Sequence, residues 1–161
     1  MALFFFDASA LVKRYIREPG SDWVRNVCDA RDDDSNKVNR VAIAEISRVE
    51  VAAAFAVLVR RNEISKNLRD RAFRQFTDEI AIEYRLLRLT PAILRNAADL
   101  TQRYPLKAYD AVQLATALVF DANAKEQALE MTFVSGDEKL LESAGTEGLT
   151  TDNPFSHTDL G

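Results

Sequence analysis

Three aspartates stand where the chain passes from an apolar run into a helix-forming stretch. Asp7 closes the apolar run of residues 3–6, Asp137 follows the run of residues 132–135, and Asp110 lies in the first turn of a helical stretch that begins at Ala108. Each has an ordinary explanation by itself. Asp7 and Asp137 would cap the helices that follow them, and a negative charge in a first helical turn is favoured by the macrodipole. Taken together they say more, because strand ends and helix starts in one α/β sheet deliver their side chains to the same edge. Several carboxylate oxygens around one point suit Mg²⁺, with Mn²⁺ as a substitute. Without a cation such a cluster repels itself and raises its own pKa values. A divalent metal there holds a phosphate oxygen, lowers the pKa of a bound water and offsets charge on a leaving oxygen, which is the chemistry of phosphodiester hydrolysis.

A fourth acid comes from Glu45 or Glu50, both expected on a helix over residues 44–61. Five positions correspond to a rotation of about 140°, so the two cannot face one site. Glu50 is embedded among Val49, Val51 and three alanines, where mere solvation is a poor explanation. Glu45 stands at the helix entrance, where the dipole accounts for it. Asp121 lies on the same helix face as Asp110, three turns further on, and is expected at the surface or behind the ligands rather than on the metal.

Other chemistries are short of residues. The single histidine, His157, sits in a polar tail, and the single cysteine, Cys28, reads as a small buried apolar side chain. Serine or cysteine nucleophiles therefore lack a base, and acid and base work falls to the 25 carboxylates. The five glycines, at 20, 136, 145, 148 and 161, spell no phosphate loop or dinucleotide fingerprint. A formal charge of −4 argues against coating nucleic acid by bulk electrostatics. Two basic groups remain, Lys13, Arg14 and Arg17, and then Arg60, Arg61, Lys66, Arg69, Arg71 and Arg74. Each is expected to be a solvated helix face that can still line a substrate path.

The elements that must position these acids alternate. Strands are expected at residues 3–6, 41–43, 84–89 and 132–135, with a brief edge strand near Leu149 and Thr150. Helices are expected at residues 8–17, from a Ser21 or Asp22 cap to about 30, at 44–61, 65–82, 91–103 and 108–123, and after Asp137 as far as Gly145. Thr90 and Pro91 give the favoured order of a capping hydroxyl followed by proline. Strands alternating with helices indicate a three-layer α/β/α sandwich around a mostly parallel sheet of four or five strands. With 161 residues, 47% of them hydrophobic, one domain over residues 1–161 is expected. The longest apolar run, residues 51–59, is too short for a membrane span. The start has no basic leader, so a cytoplasmic chain is expected.

The chain resembles PIN-domain nucleases, and among them the VapC-type toxins of toxin–antitoxin pairs. The resemblance rests on residues 6–13, beginning Phe6-Asp7-Ala8-Ser9, on Ser47-Arg48-Val49-Glu50, on residues 106–115 around Ala108-Tyr109-Asp110, and on Phe133-Val134-Ser135-Gly136-Asp137 followed by Leu140-Leu141. These occur in the family's order and span nearly the whole chain. The resemblance implies that Asp7, Glu50, Asp110 and Asp137 are Mg²⁺ ligands and that Ser9 and Ser135 support them by hydrogen bonds. It further implies RNA cleavage by a metal-activated water, a homodimer, and a cognate antitoxin that covers the site. Gln113 stands where many members carry histidine; it can hydrogen-bond a ligand or phosphate but holds no proton to exchange. Two other readings compete. One is a PIN-like scaffold that binds protein through an apolar groove on the 44–61 helix. The other is an aspartate phosphotransfer domain, which Ser9 disfavours because such phosphatases carry a second aspartate there.

Overall fold

The computed structural model describes residues 1–158; the end of the expected domain, up to Gly161, lies outside the described residues. Strand β1 (Ala2–Phe6) is apolar almost throughout because both of its faces are covered. Leu3 and Phe5 enter one core, and Phe4 and Phe6 pack in the other. Strand β2 (Asn39–Ala44) repeats the alternation, with Val41 and Ile43 on one side and Ala42 and Ala44 on the other. Period-two burial on both faces is what a central parallel strand requires. With β3 (Arg85–Leu87), β4 (Met131–Val134) and β5 (Thr150–Asp152), they form a five-stranded sheet of order β3-β2-β1-β4-β5, parallel at every pairing.

Helices α1 (Ala8–Tyr15), α2 (Ser21–Asp29), α3 (Ser47–Arg60) and α4 (Lys66–Glu79) enclose one core, around Leu11, Phe55 and Phe76. Helices α5 (Pro91–Arg103), α6 (Ala108–Glu126) and α7 (Glu138–Thr146) enclose the other, around Leu100, Leu114 and Leu140. The architecture is the expected α/β/α sandwich. Among the described residues, no helix is long and apolar enough to cross a membrane.

Several boundaries differ from expectation for physical reasons. The helix expected to open at residue 44 is held in the strand through Ala44, because Ala44 pairs with Leu87 and the Glu45 N–H donates to the Leu87 carbonyl at 2.8 Å. Sheet pairing here outweighs the helix preference of alanine. The cap expected at Ser21 or Asp22 falls instead on Gly20, whose φ of +90° lies in the left-handed region. Ser21 Oγ accepts from the Glu18 N–H at 2.9 Å and donates to the Ile16 carbonyl. Helix α6 runs on to Glu126, while α1 stops at Tyr15 and α4 at Glu79.

The strand order fixes where a ligand site belongs. From β1 the chain moves outward through β2 to β3, then crosses back to place β4 and β5 on the opposite side of β1. The order therefore reverses between β1 and β4, and the crevice beyond the carboxyl ends of those two strands is where open α/β sheets bind ligands.

Candidate active site

Asp7 follows β1 and Asp137 follows β4, so the switch point is flanked by two carboxylates. Both are helix N-caps, as their ordinary reading required. Asp7 Oδ1 accepts from the Ala10 N–H at 3.0 Å, and Asp137 Oδ1 accepts from the N–H groups of Lys139 and Leu140 at 2.9 and 3.2 Å. Two serines join the strand ends. Ser9 Oγ donates to Asp7 Oδ1 at 2.7 Å and accepts from the Gly136 N–H at 2.8 Å. Ser135 Oγ donates to Asp7 Oδ2 at 2.6 Å and accepts from the Asp137 N–H at 3.0 Å. Asp7 is thus buried, at 4% exposure, and fixed by both serines. Asp137 is exposed, and its Oδ2 has no hydrogen bond among the described residues.

The other two acids arrive on helix starts. Glu50 lies in the first turn of α3 and Asp110 in the first turn of α6, both half-buried. Gln113, one turn after Asp110, is fully buried and donates through Nε2 to Glu50 Oε1 at 3.0 Å and to Ser47 Oγ at 2.9 Å. Its Oε1 is the one buried side-chain polar atom without a partner among the described residues. Ser47 stands three residues before Glu50, and its pairing with position 113 is a contact between two layers that sequence separation conceals.

The four acids act on one another electrostatically. Burial pushes Asp7 up to about 6 against the hydrogen bonds of Ser135, Ser9 and Ala10, and the charge of Asp110 adds to the rise. Burial raises Glu50 to about 7, the Gln113 hydrogen bond opposes it, and the charges of Asp7 and Asp110 reinforce it. Asp110 is raised by burial and by the charge of Asp137, with Lys107 opposing. None of the four has an ion-pair partner among the described residues, whereas Glu18, Asp22, Asp29, Glu79 and Glu83 all do. The donor set therefore fits a hard divalent cation, being all oxygen, negatively charged and uncompensated. The side chains are not drawn into a closed shell: among the described residues no three His, Cys, Asp or Glu stand close enough to enclose a metal.

Other candidates fall elsewhere. Glu45 precedes α3 instead of opening it, and its Oε2 accepts from the Leu89 N–H at 2.8 Å, which ties down the end of β3. Asp121 is buried, not at the surface, and pairs with Lys125 Nζ at 2.7 Å. His157 is not adrift in a polar tail; its ring stacks on Trp23 with centroids 4.3 Å apart and bonds Asp152. Cys28 is buried, as expected. In the first basic group only Arg17 is exposed as expected; Lys13 is buried against Glu18, and Arg14 is half-buried against Asp29 and Glu79. The second is a solvated face, with Arg60, Arg61, Lys66, Arg71 and Arg74 exposed. One sizeable hollow, about 560 Å³, lies at the opposite end of the sheet beside Met1, Asn39 and Gln127, away from all four acids.

Comparison with known proteins bears on the family and the fold. Residues 4–145 match the family model of the PIN domain. Two Mycobacterium tuberculosis proteins, Ribonuclease VapC45 (strain CDC 1551 / Oshkosh) and Ribonuclease VapC49 (strain ATCC 25618 / H37Rv), are each 31% identical over 118 residues, covering 73% of this chain and 76% of theirs. The fold is shared with FitAcB from Neisseria gonorrhoeae, at a TM-score of 0.60 and 16% identity over 94% of this chain and 98% of that one. It is shared too with VapBC2 from Rickettsia felis bound to a promoter DNA fragment, at 0.58 and 13% over the same shares. A toxin–antitoxin complex from Klebsiella pneumoniae gives 0.54 and 20%, over 96% of this chain and 98% of that one. The switch-point carboxylates thus sit in a chain whose whole length from β1 to α7 follows one pattern, and the protein belongs to the PIN-domain family.

Proposed function

We propose that this protein is a Mg²⁺-dependent endoribonuclease of the VapC type, the toxin of a toxin–antitoxin pair, with Asp7, Glu50, Asp110 and Asp137 as metal ligands. The observation that carries the reading is the uncompensated charge: four carboxylates at one edge of the sheet, with Asp110 acting on Asp7 and Glu50 and Asp137 acting on Asp110, and without an ion pair among the described residues. The two relatives named ribonucleases supply the substrate class, and the complexes among the fold neighbours supply the antitoxin partner. A homodimer is part of the same reading.

A divalent ion bound there supplies Lewis acidity toward a phosphate oxygen and a more acidic water. The chain's own residues prepare for it. Ser9 and Ser135 hold Asp7 in one rotamer and keep it from turning away from the crevice. Gln113 holds Glu50 in the same way, and Asp137 keeps one oxygen on its helix while the other has no hydrogen bond among the described residues. Four helix N-termini, those of α1, α3, α6 and α7, bring positive dipole ends to the same edge, where they favour anions.

The test is cleavage of structured RNA by purified protein with Mg²⁺, Mn²⁺ or chelator, beside Asp7→Asn. Metal-dependent cutting lost in Asp7→Asn is expected; intact RNA throughout, or equal cutting by the variant, overturns the reading. One observation favours the scaffold alternative, namely that no three acids enclose a metal shell. Mg²⁺ titration decides between them, since a scaffold binds no more tightly than any acidic protein.

A further inference from the structure

Between α1, α3 and the loop after β4 opens a cavity of about 640 Å³ that shares Ser9 and Asp137 with the acid cluster. Its lining joins apolar Val12, Val57 and Leu58 to the charged Lys13, Glu18 and Glu138. Arg61, exposed at the end of α3, stands on its rim.

The cavity is also lined by Phe155, which comes from the 3₁₀ turn Pro154–His157. This ring is 47% exposed, yet it is held firmly. Asn153 Oδ1 accepts from the Phe155 N–H at 3.0 Å. Gly136 abuts the ring so closely that a Cβ there would stand 3.1 Å from Cε2. Lys13 Nζ lies 3.8 Å from the ring centroid, and that lysine is 2% exposed and bonded to Glu18 at 2.8 Å. A buried, anchored cation over the ring and a glycine against Cε2 fix it in place at the cavity that all three residues line, while about half of Phe155 stays exposed.

A fixed, exposed aromatic ring beside a phosphodiester-cleaving site is what an unpaired base stacks on, and the stacking tolerates any base because each has a π face. A guanidinium lining the same cavity, that of Arg61, is suited to the phosphate of the same nucleotide. We infer that Phe155 and Arg61 form a nucleotide subsite, in which a base next to the scissile phosphodiester stacks on Phe155 while its phosphate pairs with Arg61. The inference rests on the nuclease reading and adds a substrate contact from the C-terminal turn, a segment that lies beyond residues 4–145 matched by the family model.

The experiment uses an RNA with a mapped cut position and versions of it with an abasic residue on either side of that position. For the wild type, one of the two abasic RNAs is cut with kcat/KM lower by about tenfold, the scale of one lost base stack. Phe155→Leu keeps apolar packing on Gly136 but lacks the ring; it cuts intact and abasic RNA at similar, low efficiency. Phe155→Trp restores the difference. Melting curves of Phe155→Leu within a few degrees of wild type set aside a folding defect. A wild type that leaves all RNA intact overturns the nuclease reading and this subsite with it. A wild type that cuts, with Phe155→Leu keeping the full intact-to-abasic ratio, overturns the subsite alone, and weaker inhibition of that variant by a copurified partner protein would identify the cavity as a protein-docking site instead.

Discussion

Replacing Asp7 by asparagine separates the charge of the cluster from its shape, and the consequence for stability can be worked out with its sign. Burial raises the Asp7 carboxyl from 3.8 to about 6. The folded chain thus holds this proton more tightly than the unfolded chain. The stability linked to it is fully present below about pH 3.8 and is lost as pH rises through about 6. A difference of about two pH units at about 1.4 kcal/mol each gives about 3 kcal/mol of destabilisation from ionised Asp7 at pH 7.5 without metal. The hydrogen bonds from Ser9, Ser135 and Ala10 are already contained in that net rise, so asparagine, neutral like the protonated acid, removes the whole penalty. Metal-free Asp7→Asn should therefore be more stable than wild type by about 3 kcal/mol at pH 7.5, and the gap should close toward pH 4. Glu50, which the Asp7 charge helps to push up, is relieved in the variant as well and widens the gap in the same direction. Mg²⁺ at about 100 times its Kd should add about 2.7 kcal/mol to the wild type and much less to the variant. Urea denaturation at the two pH values, with chelator and with Mg²⁺, measures all four quantities. A gap that does not change with pH, or equal stabilisation of both proteins by Mg²⁺, refutes the reasoning.

Three further outcomes follow from the same contacts. Asp110→Asn and Asp137→Asn should each lose more RNA cleavage than the 10- to 100-fold typical of residues that only orient ligands, with Asp137→Asn folding normally because asparagine caps as well as aspartate; Glu45→Gln should stay within about twofold, and its loss of activity would reassign the fourth acid. Gln113→Leu frees Glu50 and strands Ser47, and should lower cleavage by about 10- to 100-fold while raising the Mg²⁺ concentration needed for half activity. Gly20→Ala forces a left-handed φ on alanine and drives its Cβ to 2.7 Å from the Pro154 carbonyl oxygen, and should lower stability by about 3 kcal/mol, or about 10 °C in Tm by calorimetry.

The sequence carried the sheet clearly because its signals are local. The run Leu3 to Phe6, the Thr90–Pro91 start and the Gly136–Asp137 turn each announce an element within a few residues, and parallel pairing then leaves few topologies. What it concealed depends on residues far apart along the chain. Lys13 looks like a surface lysine until Glu18 and Phe155 enclose it. His157 looks idle until Trp23 lies beneath it. Glu45 reads as a helix residue because nothing near it reveals that Leu87 and Leu89 will hold it at the sheet.

The capping role of Asp7 and Asp137 bears on the site in a way that composition could not disclose. Read locally, a cap and a metal ligand compete for the same carboxylate. The geometry removes the conflict, since the caps use Oδ1 in both residues. In Asp137 the second oxygen has no hydrogen bond among the described residues, and in Asp7 it accepts one hydrogen bond, from Ser135, of the two that its lone pairs allow. Capping therefore anchors each side chain by one atom and presents the other at the strand end, so the helix start that explains the residue innocently is also what holds it in place for chemistry. Glu50 follows a different route, held by Gln113 from the opposite layer. Two acids are thus positioned by their own helices and one by a neighbour, and the neighbour's amide keeps a buried Oε1 with no donor among the described residues. A buried acceptor left in that state is destabilising, which makes position 113 the point in the cluster where positioning Glu50 has taken precedence over satisfying every polar atom.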